Sequence, residues 1–357
     1  MKQNLKNSPV KSYFFGLIAI IALTGISIPV WGADKQPLKR IQFGYNAGSI
    51  MAPLVVIADQ AGLFKDEGLD VELVNLGTAD APNAVNQGKV YGYPFGVSGL
   101  QWVSKKGDII FYGGTMNEGS TYVTKPENAA KFKDLKYFKG KKVGVLRLST
   151  ADYAVREHLQ AAGVDTAKDV QYVELDSMPS IIEAVSKGSV DIGVLSIEQS
   201  LIAEKRGLKI AFYAGEIAPN YVCCKQIANK KLFKENRDVF IALQRAQIQA
   251  YKIYLEDREK TIGYLIDYSN QTREFVIDAL YTPQSFKHFI VTPDPFKNKL
   301  KAYYKLLEKE GVVPKGVNLD DYVDTTLYKD ALDQVARRFP TDPVYKKLLS
   351  DYPKNNL

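Results

Sequence analysis

Short apolar runs alternate with helical patterns twice in succession along this chain, and that alternation limits the fold more than any other feature. The first pass opens with Ile41-Gln42-Phe43-Gly44-Tyr45, then Asn46-Ala47-Gly48-Ser49 and a helical apolar pattern from Met51 to Ala61 that Gly62 stops. Ser49 is placed to cap that helix, and Pro53 fits its first turn. Val71-Glu72-Leu73-Val74 leads through Gly77-Thr78 to a helix near Asp80 to Asn86; the apolar segment Val90 to Val97 leads to Ser98-Gly99 and a short helix holding Trp102. The second pass repeats the pattern. Strands at 142–146, 170–175 and 190–195 alternate with helices that open at Ser149-Thr150 and at Ser177 and stop at Gly163 and Gly188. Each strand–helix–strand–helix–strand block predicts an open, mainly parallel sheet with helices on both faces. The fold class expected is α/β: two doubly wound lobes with a ligand cleft between them.

After Tyr221 the period changes. Leu232 to Ile266, Thr272 to Leu280 and Phe296 to Lys309 read as amphipathic helices, with Thr272 opening the second and Gly311 closing the third. This helical part is expected to pack on lobe one, so the chain crosses between lobes near Tyr122 to Glu127 and near Ile217 to Val222. Lobe one is then residues 38–124 plus 222–357, and lobe two residues 125–221.

The N-terminal segment carries Lys2, Lys6 and Lys11 and no acid, followed by an apolar core from Phe14 to Leu23 and small residues near Val30-Trp31-Gly32-Ala33. That order reads as a signal peptide over residues 1–32, cut after Gly32 or Ala33, with the periplasm as the destination. No cysteine follows the apolar core to take a lipid. Removing the signal lowers the formal charge from +7 to +4, with 44 basic and 40 acidic side chains left. The densest basic run, Lys131 to Lys142, holds six lysines and one acid. It reads as a solvated face with Phe132, Tyr137 and Phe138 turned inward, and no nucleic-acid partner is expected.

Two histidines and two cysteines in 357 residues leave little material for a metal centre or a disulfide scaffold, and no metal or cofactor is expected. Neither histidine stands in a catalytic motif. In open α/β sheets ligands bind beyond the carboxyl ends of strands, where helix N-termini present unpaired N–H groups. The junctions supply Tyr45, Asn46 and Ser49; Thr78; Ser98 and Gly99; Arg147, Ser149 and Thr150; Ser177; and Ser196. Each hydroxyl could instead serve only as a helix cap. Arg147 is suited to clamping a sulfonate, carboxylate or phosphate, or else is a plain surface arginine. Tyr91, Tyr93 and Phe95 share one strand face, which sends them into core or else supplies a stacking surface for a ligand ring. Cys223 and Cys224 read as two thiols with one buried, since strand alternation sends neighbours to opposite faces; an oxidising compartment would also permit a strained disulfide between them.

The segments Gly62-Leu63-Phe64-Lys65-Asp66-Glu67-Gly68-Leu69, Gly140-Lys141-Lys142-Val143-Gly144-Val145 and Val185-Ser186-Lys187-Gly188-Ser189-Val190-Asp191-Ile192-Gly193 carry a resemblance. With Asp320-Asp321-Tyr322-Val323-Asp324, they resemble solute-binding proteins of the nitrate, sulfonate and taurine importer family, which includes thiamine-pyrimidine precursor binders. The resemblance implies a periplasmic binding protein of the type II kind: a monomer, not an enzyme, that closes on a small organic anion and delivers it to an ABC permease in the inner membrane. Alternatives within the same resemblance are a heteroaromatic, thiamine-pyrimidine-like ligand and a pyrimidine-synthase-like enzyme. Three departures bear on the ligand. Leu148-Ser149 replaces a Gly-Ser pair, Tyr91 stands where an acid is common, and Glu198 stands where a proline often lies, adding a carboxylate that would repel an anion or bind an amine.

Overall fold

The computed structural model describes residues 37–357 apart from 78, 79 and 148; the expected signal peptide lies outside the described residues. The strands in chain order are β1 (Lys39–Tyr45), β2 (Leu69–Asn75), β3 (Ile109–Gly114), β4 (Met116–Glu118), β5 (Ser120–Thr124) and β6 (Lys141–Val145). They continue as β7 (Val170–Glu174), β8 (Ile192–Ser196), β9 (Lys209–Tyr213), β10 (Lys225–Asn229) and β11 (Phe289–Val291).

β1 alternates over its first part, with Ile41 and Phe43 buried and Gln42 exposed, and is buried on both faces from Phe43 through Gly44 to Tyr45. It pairs in parallel with β2, Lys39 opposite Leu69 and Tyr45 opposite Asn75. Its other edge is not met by the full strand expected at 90–97. Only Tyr91 to Tyr93 join, through Tyr91 N to Gln42 O, Gly44 N to Gly92 O and an antiparallel bridge of Tyr93 to Ile227 in β10. Gly92 lets this segment lie close against β1: a Cβ there would lie 2.7 Å from the Phe43 ring and 2.6 Å from the Tyr112 hydroxyl. Pro94 then removes the next donor. β10 pairs antiparallel with β3, which bridges to Val323.

The second sheet has the order β7-β6-β8-β5-β9. β7, β6 and β8 are parallel, as their crossover helices require, but β5 runs antiparallel between β8 and β9. The sheet is therefore mixed rather than mainly parallel. Its own apolar cluster holds Val123, Ile181, Ile182, Val185, Leu195 and Leu208. Phe132 and Phe138 are fully buried behind the exposed lysines around them.

The run from Leu232 to Ile266, expected as one helix, breaks into Lys230–Glu235, Arg237–Glu256 and Arg258–Ser269. Asp257 makes one break by accepting Lys260 N and capping the next helix. Thr272 caps its helix on Phe275 N, and Gly311 at φ +70° follows the end of Lys297–Lys309. The helical part packs on the first sheet's side: Glu67, after the first helix pair, receives Arg245, Gln249 and Arg338.

Candidate ligand cleft

The parallel strands β7, β6 and β8 end at one edge of their sheet, and each is followed by a helix: Met178–Lys187, Thr150–Ala161 and Ile197–Lys205. Neighbouring strands lie about 4.8 Å apart, so three positive helix starts stand in a row. Two of their hydroxyls are committed to capping: Ser177 accepts Ser180 N and Ser196 accepts Gln199 N. Ser149 occupies the cap position of the middle helix without making that bond. Thr150 is buried there, with its hydroxyl on Cys223. Asp152 in the same turn is also buried, and burial pushes its carboxyl up to about 6 against the pull of Arg156, which grips both its oxygens. Arg147 is exposed in the turn before the helix.

The loop after β1 faces this edge. Pro53 starts its helix at 53 with Ala52 as the cap residue, so Ser49 is not a helix cap. Instead the Ser49 hydroxyl accepts Met51 N and donates to Glu198 Oε2 at 3.0 Å, joining residues 149 apart in sequence. Ile50 N–H reaches the same carboxylate. Glu198 is 8% exposed, and burial pushes its carboxyl up to about 7 against these two donors. Tyr45 is core: its hydroxyl donates to Ser49 O and Ala52 O, and its ring packs edge-on to Tyr268. Asn46 is half-buried and accepts the Tyr93 hydroxyl. Gly99 is buried where a methyl would meet Ile227 and Phe111, a packing position. Thr78 lies outside the described residues, as does the side chain of Ser98.

Sequence reasoning passed over Lys225 and Asn117. Lys225 is fully buried in β10, with Nζ donating to Asn117 Oδ1 at 2.9 Å and Met116 O at 3.3 Å. Burial pushes its amine down to about 7, opposed by Asp294. Asn117 Nδ2 is buried and has no partner among the described residues. A lysine within an apolar run carries no local sign that its head is buried. The two cysteines also depart from expectation, since both are buried. Behind the middle helix, a groove of about 430 Å³ runs between Ala154 and His158 on one side and Lys299 and Tyr303 on the other. It touches none of the residues expected from the strand–helix junctions. No group of three or more potential metal ligands occurs among the described residues.

The sequence matches the NMT1/THI5-like family over residues 51–261. The chain belongs to the NMT1/THI5-like family. Among curated proteins, YtlA of Bacillus subtilis (strain 168) is 20% identical over 303 residues, 82% of this chain and 89% of YtlA. Among solved structures, the periplasmic nitrate-binding protein NrtA from Synechocystis PCC 6803 superposes with TM-score 0.69 at 14% identity, covering 86% of this chain and 92% of its own. The periplasmic aliphatic sulphonate binding protein SsuA from Escherichia coli gives 0.65 at 16%, covering 80% and 92%. At such identities the likeness establishes the fold alone. This NMT1/THI5-like chain therefore has the periplasmic-binding-protein fold, and no helix among its described residues is long and apolar enough to cross a membrane.

Proposed function

We propose that this NMT1/THI5-like protein is the periplasmic receptor of an ABC importer, exported by residues 1–32, that closes two lobes on a small solute and hands it to an inner-membrane permease. Because β5 pairs inside the second sheet, the first lobe gives up residues 120–124 that its sequence bounds of 38–124 assigned to it: the lobes are residues 37–119 with 222–357, and residues 120–221. The observation that carries this reading is the Ser49–Glu198 hydrogen bond, which ties the loop after β1 to a helix start of the other sheet. Such a contact exists only when the lobes meet, which is what closure on a ligand requires. The receptor acts as a monomer without covalent chemistry.

The same pair narrows the solute class. A bare anion beside the buried Glu198 carboxyl is disfavoured, whereas an amine or another donor is welcome there. The middle helix start, with Asp152 matched by Arg156, suits an anionic end. A zwitterion such as an amino-sulfonate meets both demands and stays within the sulfonate and taurine-like expectation. Thermal shift at millimolar concentration tests it with taurine, an alkanesulfonate without the amine, nitrate, simple amines and an aminopyrimidine. Taurine-like compounds should raise the Tm most, and Glu198→Gln should remove the advantage of the amine. Equal responses to taurine and the plain sulfonate would sink the role of Glu198, and no response to any class would sink the receptor.

One observation favours the enzyme reading: Lys225 is a fully buried lysine held on Asn117, and burial pushes its amine down to about 7, as in reactive lysines. Product formed from the aminopyrimidine on incubation, read by mass spectrometry, would favour that reading over transport.

A further inference from the structure

Cys223 and Cys224 hold their sulfurs side by side, with Sγ to Sγ at 3.5 Å. Both lie in the irregular stretch between the Asn117–Val222 bridge and the start of β10, so strand alternation does not separate them. Neighbouring backbone bonds tie this stretch to the other passage between the sheets: Glu118 N donates to Tyr221 O, and Met116 N to Cys224 O. Each cysteine keeps a small exposure, 8% and 9%. The thiol of Cys224, the Thr150 hydroxyl and the Lys225 charge favour the Cys223 thiolate, while the bond to Cys223 and burial hold the Cys224 thiol up. The thiolate is the nucleophile in disulfide exchange.

We propose that Cys223 and Cys224 are a reversible two-electron redox couple that closes to a vicinal disulfide, with Cys223 attacking the oxidant and Cys224 resolving. The oxidant is a small disulfide. Cys223 sulfur attacks one of its sulfurs, the oxidant's S–S bond breaks, and the first thiol leaves with the Cys223 proton. Cys224 sulfur then attacks Cys223 Sγ, and the second thiol leaves with the Cys224 proton. Two protein thiols are oxidised and one disulfide is reduced. Adjacent Cα atoms stand about 3.8 Å apart, short of the roughly 4.4–6.8 Å that disulfides usually span. The bond is therefore strained and easily reduced, as labile and regulatory disulfides are. Closing it draws Cys223 off Thr150 and stiffens residues 221–225, where the chain returns from the second sheet.

The chain has only these two cysteines, so the test is unambiguous. Reduced full-length protein is equilibrated with oxidised glutathione, quenched, alkylated and weighed intact. The expected product is a monomer lighter by two hydrogen atoms that takes no label and regains two labels after dithiothreitol. Cys224→Ser should stop at a glutathione adduct on Cys223, and Cys223→Ser should form adduct about tenfold more slowly. Wild-type protein that keeps both labels, accumulates adduct or forms linked dimers would overturn the proposal. The wild-type masses decide even where a variant misfolds. The inference goes beyond the receptor reading, and its readout requires no ligand.

Discussion

Glu198 is the residue on which the cleft's chemistry turns, because it is buried, carboxylic and bonded across sheets to Ser49. Burial raises its folded pKa to about 7, against about 4.3 for an unfolded Glu. A group raised in this way contributes fully below its unfolded pKa and loses that contribution as pH rises through its folded one. Wild-type stability relative to Glu198→Gln should therefore fall between about pH 4.5 and 7, by at most about 4 kcal/mol, and stay level above. Urea unfolding across that range checks it, and a difference independent of pH would contradict a carboxyl that burial has pushed up. Ser49 and Glu198 were both legible as junction residues, but their contact was not, since 149 residues separate them.

At the scale of elements, the helix starts divide into structural and available ones. Ser177 and Ser196 spend their hydroxyls on Ser180 N and Gln199 N. Ser177→Ala should cost about 1 kcal/mol in unfolding free energy while leaving every ligand-induced Tm shift unchanged; a lost shift would return Ser177 to the binding site. The C-terminal helices are held partly through Glu67, whose side chain is 2% exposed. Burial would raise its carboxyl, but Arg338 and Arg245 outweigh that and hold it below the usual range. Glu67→Ala strands two arginines and should destabilise by about 3 kcal/mol. The pair's contribution is present above the unfolded carboxyl pKa and disappears in acid, so the gap between wild type and variant should close as pH falls below about 4.

For the whole molecule, the two passages between sheets are bound to each other. Glu118, at φ +58°, accepts Asn220 N through Oε1 and meets His288 Nδ1 at 2.9 Å through Oε2. Gly215 leaves room for this: a Cβ there would collide with the Glu118 carboxyl and lie 2.6 Å from His288 Nδ1. Gly215→Ala should cost about 2 kcal/mol in unfolding and enlarge the radius of gyration in X-ray scattering by loosening the passages. If both stay unchanged, Glu118 does not hold them.

Local pattern carried a large part of this architecture. The buried face of Ile41, Phe43 and Tyr45 in β1, the caps at Ser177, Ser196 and Thr272, and the stop at Gly311 are short-range physics, decided within a few residues and legible in the sequence itself. Features set by distant neighbours were not. The expected strand at 90–97 pairs over only three residues, with Pro94 supplying no further donor, and the segment read as the crossing near Tyr122 to Glu127 begins in β5, an antiparallel strand inside the second sheet. Lys225 became a buried amine and Ser49 turned from a helix cap into a partner of Glu198. Alternation and capping depend on the chain's own backbone, whereas burial, charge state and cross-sheet contact depend on which surfaces the fold brings together.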